Sequence, residues 1–340
     1  MRDNCGTFAV SEAVELATVT RGGFVESRHA GTAIVLDPAG NTLVSLGNPD
    51  AAVLTRSALK PLQSLAMQVA GLELSDPRHL AMSFASHTGT PAHVSLVQQM
   101  LAAGRLSEAH LLCPPSWPAD SEARNHLVRH AGAVSALQHA CSGKHAAMLL
   151  TCLAAAWPVQ DYTHRDHPLQ QHIFDNVQRL TGETPSHISI DGCGVPVLGM
   201  SLAALARGYR RMANASPESP FPFNRQMAGI LAAGRAYPQL VEGPSGHDSI
   251  VMQHAPVFAK FGAEGVSAMA AADGTVAVVK ILDGSSRVSR AVALALLTYA
   301  GAVTKQQFAA ALKALPLSVL GGREKVGDIR VSIPDLTSKK

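Results

Sequence analysis

Aromatic side chains make up only 4% of the 340 residues, charged ones 16%, and cysteine occurs five times. So few aromatics argue against a sandwich of aromatic-rich strands, and the alanine-rich stretches point instead to tightly packed helices. The formal charge of +3 is weak for this length, and no Lys/Arg cluster forms a stripe for nucleic acid, so none is expected as a partner. No segment has the unbroken apolar length of a membrane span, and Met1 to Gly6 is polar, unlike a secretory leader. The expected location is therefore cytoplasmic, with no membrane partner and with thiols that stay mostly reduced. Internal repeats and low-complexity linkers are lacking as well. What is present is a 47% hydrophobic content, enough to bury a sizeable core. The most linker-like stretch, 213–223, has three prolines among polar residues, yet candidate site residues lie on both sides of it. One domain over 1–340 is the expectation.

Alternation and turn signals place a hairpin at 33–46, and further strands at 257–261, 266–271 and 276–282. Asp273-Gly274 makes the tight turn between the last two, and a helix follows over about 286–300. The middle, about 57–234, reads as mostly helical. N-terminal and C-terminal strands around a helical insertion predict an α+β fold (an α/β sandwich), with one mainly antiparallel sheet flanked by helices.

Ser57 and Lys60 form a Ser-x-x-Lys at a predicted helix start, followed by Pro61 and an apolar repeat at Leu59, Leu62, Leu65, Ala66 and Val69. Three residues apart, the hydroxyl and the amine share one helical face. A serine needs a neighbouring base to become a nucleophile, and a desolvated lysine beside other cations can serve. Alone, the motif is as well explained by a helix start with a solvated lysine. Serine β-lactamases and penicillin-binding proteins follow Ser-x-x-Lys with a second serine motif and then Lys-Thr-Gly. Here Ser86-His87-Thr88 and Lys260-Phe261-Gly262 come in that order, though neither match is complete.

Of Cys5, Cys113, Cys141, Cys152 and Cys193, Cys141 and Cys193 stand out for the glycine and polar groups around them, in Cys141-Ser142-Gly143-Lys144-His145 and Asp191-Gly192-Cys193-Gly194. Cys152 sits in an apolar run, as a structural cysteine would. Two thiolates are too few to close a zinc site, which would need a third ligand and a water, and no CxxC spacing is present.

Together with Thr20-Arg21-Gly22-Gly23-Phe24-Val25-Glu26-Ser27-Arg28-His29 and Lys260-Phe261-Gly262-Ala263-Glu264-Gly265, these strings resemble the rhizobial-type, or class 3, L-asparaginases, in order and over about 10–330. The resemblance implies an architecture like that of serine β-lactamases and glutaminases, and a homodimer. It makes Ser57 the nucleophile and Lys60 its base, with Ser86 and Lys260 completing a second Ser-Lys arrangement. It also implies a zinc ion on Cys141, Lys144 and Cys193, helping to hold the substrate. One departure is that some members have a further cysteine before the second lysine, where this chain reads 243–249 without one.

The expected reaction is hydrolysis of L-asparagine to L-aspartate and ammonia through an acyl-enzyme. Arg56 is a candidate for the substrate carboxylate and Asp191 for its ammonium, while His145 could touch substrate or support the metal. Each has an ordinary alternative: a solvated arginine, a turn cap, a buried structural histidine. Two rival readings are another serine amidohydrolase on the same scaffold (a glutaminase, a β-lactam hydrolase or a D-amino-acid peptidase) and a catalytically inert binding protein.

Overall fold

The computed structural model describes residues 6–333, so Cys5 lies outside the described residues. The strands are β1 Val14–Arg21, β2 Phe24–Leu36, β3 Thr42–Leu46, β4 Ala52–Leu54, β5 His187–Ile190, β6 Pro196–Ser201, β7 Val257–Gly262, β8 Val266–Ala271, β9 Val276–Ile281, β10 Ser318–Gly321 and β11 Glu324–Val331. The helices are α1 Lys60–Val69, α2 Pro77–Ser83, α3 Pro91–Ala103, α4 Ser121–Arg129, α5 Ser142–Ala154, α6 Pro168–Thr181, α7 Leu202–Ala213, α8 Pro222–Ala236, α9 Pro238–Val241, α10 His247–His254, α11 Ser289–Tyr299 and α12 Lys305–Ala314.

One eight-stranded sheet runs β10-β11-β1-β2-β9-β8-β7, with β3 also on β2, and every pairing is antiparallel. This is the α+β fold that the strand pattern predicts. The hairpin at 33–46 forms, with Val35 opposite Val44. The β8–β9 turn closes through Asp273, whose carboxylate accepts the Thr275 N–H at 2.9 Å. All six residues of β8 and of β9 are buried, so both faces of that half of the sheet are covered, and α7 and α11 pack on it. Stretch 213–223 joins α7 to α8.

The middle is not purely helical. β4, β5 and β6 make a second, three-stranded antiparallel sheet in the order β4-β6-β5. Helix α1 runs through the interior, buried from Lys60 to Met67 and packed by α5, α6 and α8. An eight-residue run without solvent contact is apolar apart from Gln63, Ser64 and the lysine at its first position. That lysine is the first sign that the fold accommodates a costly group for chemistry.

Candidate active site

The serine of the Ser-x-x-Lys motif sits on a short 3-10 turn, Arg56–Leu59, that leads into α1. The turn is tied down on three sides. Thr55 donates its backbone N–H and its hydroxyl to the Leu198 carbonyl of β6, each at 3.0 Å, and Tyr209 of α7 donates to the Ala58 carbonyl at 2.7 Å. From β7, the backbone of Gly262 presses on it: a Cβ there would lie 2.7 Å from the Thr55 oxygen. Arg56, one residue before Ser57, has φ +48°, in the left-handed region. Such a conformation costs an L-residue of order 1–3 kcal/mol and persists only where the surroundings enforce it. The strain turns Ser57 toward a cleft that it lines together with Lys60.

Lys60 and Lys260 are both fully enclosed. Lys60 Nζ donates to Ser86 Oγ at 2.8 Å and to the Ala85 carbonyl. Ser86 follows α2, its backbone N–H held by the Val241 carbonyl at 2.8 Å. Lys260, on β7, donates to the Phe261 carbonyl at 2.9 Å, and its Nζ lies 4.1 Å from the centre of the Phe261 ring. Burial pulls the Lys260 amine down from its ordinary 10.5 to about 7, with the charges of Lys60 and Arg290 pushing the same way and those of Asp248 and Glu242 opposing. Ser57 and Lys60 thus share the cleft wall, and Ser86 joins them through Lys60, whereas Ser86 and Lys260 are not among the side chains that line the cleft.

Arg56 Nε pairs with Asp191 Oδ1 at 2.9 Å, and both side chains line the cleft. The Asp191 turn also presents Cys193. Lys144, on the first turn of α5, lines the cleft and donates to Cys193 Sγ at 3.4 Å, and Cys141 immediately precedes that helix. All three are buried. Sharing a hydrogen bond with Cys193 holds the Cys141 thiol well below its usual range, helped by Lys60, and the same sharing pushes Cys193 up. Burial pulls the Lys144 amine down, but Cys193, Cys141 and Asp191 outweigh it and keep it above its ordinary value. Two thiols and an amine converging in a buried spot are a donor set that fits a thiophilic cation such as zinc, once the amine gives up its proton. Among the described residues no group of three His, Cys, Asp or Glu side chains clusters as a metal site, so this fit depends on the lysine.

Gln63 and β6 residues Pro196–Leu198 complete the wall of the cleft, which encloses about 10 Å3, about the room of one water. His145 does not line it. On the first turn of α5, its ring is fully buried, with Nδ1 2.7 Å from the Tyr162 hydroxyl, and burial with the neighbouring Lys144 holds it neutral. The placement favours a supporting role over contact with substrate.

Reasoning from sequence missed Glu242, Asp248 and Arg290, a buried ionic group beside Lys260. Asp248 lies within 243–249, the segment read for its lack of a cysteine, but nothing in its spacing pairs it with an arginine 42 residues later.

A family model described as L-asparaginase II matches residues 17–331, nearly all of the described chain, and no curated protein matches. The match runs from β1 to β11 and so includes every side chain that meets at the cleft. The chain belongs to the L-asparaginase II family and is an asparaginase-type amidohydrolase acting on a small-molecule substrate.

Proposed function

We propose that the chain hydrolyses L-asparagine to L-aspartate and ammonia, with Ser57 as nucleophile. The carrying observation is the buried Lys60 amine, which lines the same cleft as Ser57 and is bonded to Ser86 at 2.8 Å. Lys60 takes the proton of Ser57 as its oxygen bonds to the side-chain amide carbon. The Ser86 hydroxyl relays a proton to the amide nitrogen, the C–N bond breaks and ammonia leaves. Water then cleaves the ester on Ser57 and releases aspartate. Backbone N–H groups at the start of the Ser57 turn supply donors for the developing oxyanion. Lys260, whose proton is loosely held at neutral pH, is the second acid–base group.

Arg56 and Asp191 give the cleft one fixed charge of each sign, which suits the carboxylate and the ammonium of a free amino acid. When bound, zinc would supply a Lewis-acidic cation beside the substrate end of the cleft. Cys141, Lys144 and Cys193 would hold it, Lys144 reaching both the Cys193 thiol and the cleft wall. Among the described residues no helix is long and apolar enough to cross a membrane. The same reading takes the chain as a cytosolic homodimer, which light scattering and cell fractionation test.

Ammonia release by purified protein from L-asparagine, with L-glutamine in parallel, tests the substrate. Release from asparagine is expected, rising from pH 6 to pH 8 as Lys260 loses its proton. Release from neither amide would refute the reading, and turnover of a chromogenic β-lactam in its place would favour a different serine hydrolase. For the metal, Cys141→Ser is expected to bring bound zinc to background by elemental analysis; unchanged zinc content would place the ion elsewhere.

A further inference from the structure

The ionic group beside Lys260 is built with more care than packing requires. Asp248 sits on the first turn of α10 with no solvent exposure. Its Oδ1 accepts from Arg290 Nε at 3.0 Å, and its Oδ2 accepts the backbone N–H of Phe261 at 2.7 Å. Glu242 Oε1 accepts from the same guanidinium at 3.2 Å, and Oε2 accepts the Asp248 N–H at 2.7 Å. Glu242 folds over Gly246, where a Cβ would lie 2.6 Å from its carboxylate oxygen. Arg290 lies 4.4 Å from the centre of the Phe261 ring, the ring that also carries Lys260 at 4.1 Å. Asp248 therefore fixes the β7 backbone one residue from Lys260 and anchors a second cation on the aromatic ring that Lys260 uses.

Charge gives this geometry a purpose. The groups that face the Lys260 amine are Lys60 and Arg290, which loosen its proton, and Asp248 and Glu242, which hold it, so loss of either carboxylate charge leaves a proton on Lys260 less compensated in a buried site. The other elements packed on β7 do not change that balance. β8 has no titratable side chain, the α8 arginines Arg225 and Arg235 are exposed, and Arg56 on the Ser57 turn is paired with Asp191. On α10, His254 is exposed, and burial and Arg290 keep the half-buried His247 neutral.

We propose that Asp248, held by Arg290 and Glu242, is a positioning residue that sets both the place and the protonation of Lys260. This rests on the reading of Lys260 as an acid–base group, and the test separates the two. Asp248→Asn keeps the shape and an acceptor for the Phe261 N–H while removing one negative charge. One of the two negative charges that hold the Lys260 proton is lost, so that proton is held less tightly. The titration of Lys260 is followed by 13Cε NMR of labelled protein, its signal assigned by loss in Lys260→Arg, in parallel with the pH profile of kcat/KM. In Asp248→Asn the Lys260 midpoint is expected to fall by about one pH unit or more, and the rising limb of activity to move to lower pH with it. Glu242→Gln should move both in the same direction and covers the case in which Asp248→Asn does not fold. A Lys260 midpoint unmoved or raised in the folded variants, with only thermal stability lowered, would overturn the proposal and leave Asp248 a purely structural partner. A midpoint that falls while the activity limb stays put would sustain the assignment of Asp248 and reject Lys260 as the group that limits turnover.

Discussion

Ser57→Ala is expected to fold like the parent and to release ammonia from L-asparagine on the order of 10^4-fold more slowly, since the other members of a nucleophilic unit contribute little without it. The prediction is sharp because the turn does not depend on the lost hydroxyl. The Thr55 bonds to Leu198, the Tyr209 bond to Ala58 and the backbone of Gly262 all remain. Half-buried Ser57 should therefore change unfolding free energy by no more than about 0.5 kcal/mol. Activity within tenfold of the parent would move the nucleophile elsewhere, with Ser86 the next candidate because it already bonds Lys60.

Lys260→Met should be inactive and yet more stable, a combination that few substitutions give. The Lys260 amine is held at about 7 in the folded chain against 10.5 ordinarily, so folding costs free energy wherever the unfolded chain would carry the proton. The sign follows from where each state titrates. Above about 10.5 the amine is neutral in both states and the penalty is nil. It grows as pH falls toward 7 and is complete below that, up to about 5 kcal/mol. Methionine removes the penalty, and Arg290 stays paired with Asp248 and Glu242. Denaturant unfolding at pH 6, 8 and 10 should thus show a gain for the variant that is largest at pH 6 and fades by pH 10. A variant less stable at every pH would mean that the ammonium is compensated by contacts that burial does not reveal.

The elements legible in the sequence were those whose periodicity is set by burial on a sheet or by a helical stripe. The 33–46 hairpin, β7 to β9 and α11 all bury alternating or continuous apolar runs. β4, β5 and β6 left no such trace: β4 has three residues, β5 is largely exposed, and β6 opens on a proline and contains a glycine. β1 mixes Glu15, Thr18 and Thr20 among its apolar residues and is ordered by pairing with β11 more than 300 positions away. At the site, single strings such as Ser57-Ala58-Leu59-Lys60 could be read because their chemistry is local. The contact of Lys60 with Ser86, and the Asp248–Arg290 pair, arise only from the path of the chain. His145 shows the converse: a residue suggestive by its neighbours in sequence is turned by the fold into a partner for Tyr162.

The order of strands also carries a timetable. β2 takes β9 as a neighbour, with Gly31 opposite Ile281, and β1 waits for β11, with Ala17 opposite Val331. A ribosome adding about 5–20 residues per second needs roughly 12–50 s to span the 250 positions between Gly31 and Ile281. Over that interval β2 has only β1 and β3 as neighbours, and its unpaired edge is open to any other chain nearby. Lys260 arrives only with the strands that close the sheet, so the nascent protein is made harmless and fragile together. Yield during expression should therefore depend on slow synthesis and chaperone supply more than on the stability of the finished enzyme.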